Sequence, residues 1–153
     1  MSDQPITEQR ALTSSLEKGV RPVRADLADA FLIEGEALLL QGDLKKGLEC
    51  FESAVQLDPE NPKIYFSQGL SLFEFATQEG QEKHLPLASK KFKMATTLFP
   101  SYFEAWQAWG SVLCLLGLTT GEHHYFKEAK DKLNTAIALS TNQGKEAMFE
   151  PVS

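Results

Sequence analysis

Small and large apolar residues recur along the chain at the three- and four-residue spacing of helices, and the recurrence is itself repeated. Residues 30–59, 64–100 and 104–141 align. Gly35, Gly69 and Gly110 coincide, as do Leu38, Leu72 and Leu113. In the second halves Phe51, Phe92 and Leu133 coincide, followed by Ala54, Ala95 and Ala136, and by Leu57, Leu98 and Leu139. Pro59 and Pro100 close the first two units, and Thr141 stands where a third proline would be. The pattern predicts three antiparallel helix pairs. Gly and Ala let two helices approach closely, and large residues one turn away fill the holes. The stretch "LDPENP" (57–62) stops one helix and starts the next, because proline cannot continue a helix but suits its first turn. Asp43 is placed as an N-cap after the tight turn "QGD".

The spacing is uneven. Gly35 and Gly69 are 34 residues apart, Gly69 and Gly110 are 41, and the second-half landmarks are 41 apart both times. Units two and three therefore each hold seven extra residues between their two helices. Seven residues make about two turns. One added turn per helix would lengthen each hairpin and keep its packing faces in register. Leu72, Phe73 and Phe75, and then Leu113, Leu115 and Leu116, extend the first helices. Gly80 and Gly121 mark the hairpin turns. A floppy loop is the alternative. It is disfavoured because Leu85, Leu87, Tyr125 and Phe126 call for burial.

These residues resemble the tetratricopeptide (TPR) family. A large aromatic (Phe31, Tyr65, Trp106) precedes each Gly by four, and Ala, a large apolar residue, Ala and a closing Pro follow. The likeness covers 28–141, about three-quarters of the chain, and "GDLKKGLECFESAVQLDPENP" (42–62) matches almost throughout. Gly47 departs from it, standing where the family has Ala. The resemblance implies an all-α fold: a right-handed superhelical stack of three helix hairpins, at about 28–61, 62–102 and 103–141, with an N-terminal helical segment. A weaker likeness is to bacterial type III secretion chaperones built from three such repeats, whose pattern lacks the seven-residue additions.

By the same resemblance the first helix of each pair lines a concave groove. The positions that would face a partner are Leu32, Glu36 and Leu39, then Phe66, Leu70 and Phe73, then Gln107, Ser111 and Cys114. Asp29, Lys63 and Glu104 lie on the rim. One branch of the family grips the C-terminal carboxylate of heat-shock chaperones with Lys, Asn and Arg. The matching positions here are Leu32, Glu36, Ser67, Glu104 and Ala108, none of which supplies the required group. The expected groove is apolar at units one and two and mildly polar at unit three. It suits a partner peptide or amphipathic helix with apolar anchors.

Residues 1–26 fall outside the repeat. "TEQRALTSSLEKG" (7–19) reads as a short helix with Leu12 and Leu16 on one face, ended by Gly19. With Ile6 and Val20 it would cap the stack or dock in its groove rather than remain a free arm. Residues 142–153 form a tail too short to supply the polar end unit that a repeat stack needs. Some of Leu133, Ile137 and Leu139 would then stay uncovered, unless Met148 and Phe149 fold back over them or another chain does.

Composition narrows the function. The 153 residues carry a net charge of −6 and 42% hydrophobic residues. An acidic chain is a poor nucleic-acid or anionic-membrane binder. The longest nearly apolar run, 109–118, is too short to cross a bilayer. The N-terminus lacks a secretory h-region, so a cytoplasmic location is expected. Cys50 and Cys114 read as small core residues in a reducing compartment. His84, His123 and His124 fall at hairpin tips, read as solvated and not as metal ligands. The run 79–83 is taken as a solvated face. The basic stretch 88–93, with Lys83, is an exposed helix face or a contact for an acidic partner. Trp106 and Trp109 are expected in the core. No catalytic motif is present, so neither enzyme activity, cofactor nor metal is expected. The expectation is a protein-interaction module, an adaptor or chaperone-like scaffold, with the groove as its site. The alternative is a self-associating protein, a homodimer through the last helix.

Overall fold

A computed structural model describes the backbone of residues 6–148 and the side chains of residues 19–142. Six helices follow one another: α1 (Ile6–Leu40), α2 (Leu44–Leu57), α3 (Pro62–Gln78), α4 (Leu85–Leu98), α5 (Phe103–Thr120) and α6 (His124–Met148). A 3-10 turn, Glu82–His84, precedes α4. Among the described residues there is no strand. The helices pack as hairpins, α1 on α2, α3 on α4 and α5 on α6, and the hairpins stack through α1–α3 and α4–α5.

Local chemistry sets the ends. The Asp43 side chain caps α2 by accepting from the Lys46 amide at 3.2 Å. Asn61 caps α3 from the Lys63 amide at 3.1 Å, with Pro62 in the first turn. Each hairpin turn has a glycine in the left-handed region: Gly42 at φ 87°, Gly80 at 62° and Gly121 at 72°. At the first two turns the next amide reaches back to the helix, Asp43 to the Leu38 carbonyl and Gln81 to that of Ala76, both at 2.9 Å.

Within each hairpin a glycine on the first helix faces a large side chain on the second. The Phe51 ring lies over Gly35, the Phe92 ring over Gly69 and the Leu133 side chain over Gly110. A methyl added to Gly69 would lie 2.7 Å from the Phe92 ring, whose side chain is fully buried. Unit three repeats the device one level out, where the Phe126 ring sits on Gly117. The departure at Gly47 has a similar cause: a Cβ there would collide with the Leu39 side chain. The core follows these contacts, with Ala54, Leu72, Ala88, Ala95, Val112 and Leu113 all closed to solvent.

Two equivalent hydrogen bonds tie neighbouring units together. Tyr65 Oη donates to the Pro59 carbonyl at 2.9 Å, and Trp106 Nε1 donates to the Pro100 carbonyl at 2.8 Å. The repeated aromatic of one unit thus holds the closing proline of the unit before it. Gln68, fully buried, adds a third link by donating Nε2 to the Phe51 carbonyl at 3.0 Å.

The seven added residues are distributed differently in the two long hairpins. The first helix ends five residues after Gly35 in unit one, nine after Gly69 in unit two and ten after Gly110 in unit three. The second helix begins seven residues before both Phe51 and Phe92, but nine before Leu133. Unit two therefore lengthens α3 and winds 82–84 as a 3-10 turn. Pro86, suited only to a first turn, fixes the start of α4 at Leu85. Unit three lengthens both helices. Leu85 is fully buried and Leu87, Tyr125 and Phe126 are half-buried, which is what holds the extensions in place.

Two ends differ from expectation. No break occurs at Gly19: α1 runs through Gly19 and Pro22 as one 35-residue helix. Gly19 keeps an ordinary negative φ, and extending an already nucleated helix needs no new nucleus. At the other end α6 continues through Gly144 to Met148. The side chains of Ile6, Leu12 and Leu16, and the fold-back of Met148 and Phe149, lie outside the described residues.

Two glycine substitutions should therefore act with opposite sign in urea denaturation. Gly69→Ala should cost about 1–2 kcal/mol, overpacking against Phe92 outweighing the gain in helix propensity. Gly19→Ala, with nothing within 4 Å, should be neutral or stabilise by up to about 1 kcal/mol. Tyr65→Phe, which keeps the ring and removes the bond to Pro59, should cost about 1 kcal/mol.

Candidate functional site

A cleft of about 210 Å³ opens between α1 and α3. Its α1 wall is Glu36, Leu39 and Leu40, and its α3 wall includes Ser67, Leu70, Ser71, Glu74, Phe75 and Gln78. The α3 residues form two adjoining stripes at helical spacing: apolar Phe66, Leu70 and Phe73 beside polar Ser67, Ser71, Glu74 and Gln78. Three of the expected groove positions, Glu36, Leu39 and Leu70, meet in this cleft. Leu40 stands at its lip, 69% exposed.

The other expected positions fall elsewhere. Leu32 is buried in the core and offers a partner no surface. Phe66 is half-buried, its ring 5.9 Å from Phe92 on α4 and 5.0 Å from Tyr102, the N-cap of α5. Phe73 and Cys114 are half-buried against the core, while Lys63, Gln107, Ser111 and the rim residues Asp29 and Glu104 are exposed. Glu74, Ser71 and Gln78 were missed by the sequence reading. The signal for them was the polar stripe beside the apolar one.

The cleft is electrostatically strained on its acidic side. Burial does most to push the Glu36 carboxyl above its ordinary 4.5. The Ser67 hydroxyl beside Glu36 opposes that rise; Glu74 adds to it and Lys63 reduces it. Among the described residues neither Glu36 nor Glu74 forms an ion pair.

Other chemistry-bearing residues are structural. His84 is half-buried rather than a solvated tip: its ring meets Phe75 edge-on at 5.7 Å and Nε2 lies 3.2 Å from Gln81 Oε1. Burial, then Lys83, lower its pKa. His123 and His124 are exposed, and His124 Nδ1 lies 3.4 Å from Glu122 Oε2. Trp109 is buried, donates to Ser89 Oγ at 2.9 Å and stacks on Trp106 at 5.5 Å, with Lys132 Nζ 4.3 Å above its ring. Cys50 and Cys114 are free and half-buried, and burial, with Glu34, pushes the Cys50 thiol up, away from the reactive thiolate. No helix among the described residues is long and apolar enough to cross a membrane.

The repeated glycine seats, aromatic-to-proline bonds and left-handed turns describe a repeat architecture, and the family profile of the TPR repeat matches residues 35–74. That stretch resembles a tetratricopeptide repeat. The first TPR domain of Spaghetti (RPAP3), solved bound to the HSP90 peptide SRMEEVD, has the same fold, with TM-score 0.58 and 20% identity over 77% of this chain and 82% of that one. The second TPR domain of that protein, with the same peptide, gives 0.57 and 18% over 79% and 98%. Among curated relatives, the heat-shock cognate co-chaperone sgt12 of Aspergillus fumigatus is 27% identical over 121 residues, 79% of this chain and 31% of that protein. The mouse protein O-mannosyl-transferase TMTC1 is 28% identical over 104 residues, 65% of this chain and 10% of that protein. The chain thus spans about a third and a tenth of these two relatives.

The raised Glu36 pKa has a defined sign. The folded state binds this proton more tightly than the unfolded chain, so the associated stability is present below pH 4.5 and lost as pH rises through the raised value. Glu36→Gln should match the wild type in thermal melting near pH 4 and exceed it near pH 7. Equal melting temperatures at both pH values would show that Glu36 is not strained.

Proposed function

We propose that this chain is a non-enzymatic adaptor, chaperone-like and cytoplasmic, that receives a peptide or helix of another protein in the groove lined by α1, α3 and α5. The observation that carries the reading is the open α1–α3 cleft, where apolar walls and polar groups converge on one concavity. The peptide-bound TPR neighbours and the co-chaperone relative support the adaptor role. They do not extend to the same ligand. At the clamp-equivalent positions stand Leu32, Glu36, Ser67, Glu104 and Ala108, and none brings a positive charge to an acidic peptide end such as EEVD.

Leu40 and Phe73 are the residues to test, since Phe66 also packs on Phe92 and Tyr102. With folding checked by circular dichroism, Leu40→Glu/Phe73→Glu should lose captured partners by about tenfold or more. Retention of every partner by the folded variant would overturn the groove as the site.

A second reading has one observation in its favour. On α6, Ile137 is 63% exposed and Leu133 and Leu139 are only half-buried. Another copy of the chain would cover them. Light scattering decides: a dimer that Ile137→Glu dissociates supports this reading, and a monomer rejects it.

A further inference from the structure

We infer that the occupant of the groove is a cationic amphipathic segment, one of whose Lys or Arg side chains inserts between Glu36 and Glu74. This rests on the groove reading above and adds the chemistry of the partner.

The argument is electrostatic and begins with the cleft walls. Leu40 and Leu70 supply apolar surface over the buried Leu39 and Phe75, and Glu36 and Glu74 supply two carboxylates in the same concavity. The two carboxylates repel each other, and neither is neutralised by an ion pair among the described residues. An all-apolar occupant would strip water from both without replacing it, which is costly for charged groups. An acidic segment would bring further negative charge into a partly desolvated site, where screening is weak. A long basic side chain satisfies both demands: its methylene stem lies on the leucines and its charged head reaches the carboxylates. Arginine, with donors in a rigid fork, could serve both carboxylates at once. The wider surface has the same sign. Among the described groove and rim positions named above, Asp29, Glu36, Glu74 and Glu104 outnumber Lys63. The field would therefore steer a basic segment toward the groove.

The test is selection of randomised twelve-residue peptides on the folded protein, followed by affinity measurement of the winning peptides. Three forms are compared: wild type, Glu36→Gln/Glu74→Gln and Leu40→Glu/Phe73→Glu. The glutamine pair relieves repulsion, so it should fold at least as well as the wild type. Wild type should enrich peptides with Lys or Arg beside Leu or Phe. The winners should bind Glu36→Gln/Glu74→Gln about tenfold more weakly and lose affinity with added salt. Winners without basic residues, or with equal affinity for the glutamine pair, overturn the inference. If those same winners fail on Leu40→Glu/Phe73→Glu, the groove reading still stands. Winners that bind Leu40→Glu/Phe73→Glu as tightly as wild type, or no enrichment at all, overturn both.

Discussion

The architecture depends on one steric constraint, the seating of a large side chain on a glycine of the facing helix. Gly35 under Phe51, Gly69 under Phe92 and Gly110 under Leu133 fix how closely each hairpin closes. Close approach is what buries the flanking alanines, and buried surface is the main favourable term in folding. The seats also fix rotation. Once Phe92 is over Gly69, Tyr65 faces the preceding unit, where its hydroxyl reaches the Pro59 carbonyl. Unit three uses the smaller Leu133, which is only half-buried, and compensates with a second seat, Phe126 on Gly117.

The lengthened hairpins bear on function through the first helices. Helix α3 continues nine residues past Gly69, and the added turn carries Phe75 and Gln78, which complete the cleft with Glu74. A hairpin of unit one's length would end before Phe75 and leave the cleft without its far wall. Glu74, the last residue that a helix of unit one's length would include, already lines the cleft with Glu36. The longer repeat is thus what builds the far wall of the candidate site.

The repeat, the helix pairs, the caps and the turn glycines were legible in the sequence, because three copies in phase reveal which positions must be small and which large. The N-terminal half of α1 was misread at Gly19. Glycine is a statistical helix breaker, yet Gly19 has an ordinary φ and the helix was already nucleated downstream. The split of the seven added residues was legible only in part. Periodicity showed that longer helices were needed, while Pro86 decided locally where α4 begins. The groove was harder. Its positions were placed by resemblance, which put Leu32 on an open face although it is buried in the core. The acidic cleft went unread because the apolar stripe of α3 was read without Ser71, Glu74 and Gln78 on its flank.

The most direct test of the glycine seat is a double-mutant cycle between Gly69 and Phe92, followed by urea denaturation. With Phe92 in place, alanine at 69 should destabilise. With Phe92→Val, which vacates the space, the same alanine should stabilise by up to about 1 kcal/mol through helix propensity. That reversal of sign is the result the account predicts. The same sign and size of effect in both backgrounds would contradict it, because Gly69 would then be small for a reason unrelated to the ring above it.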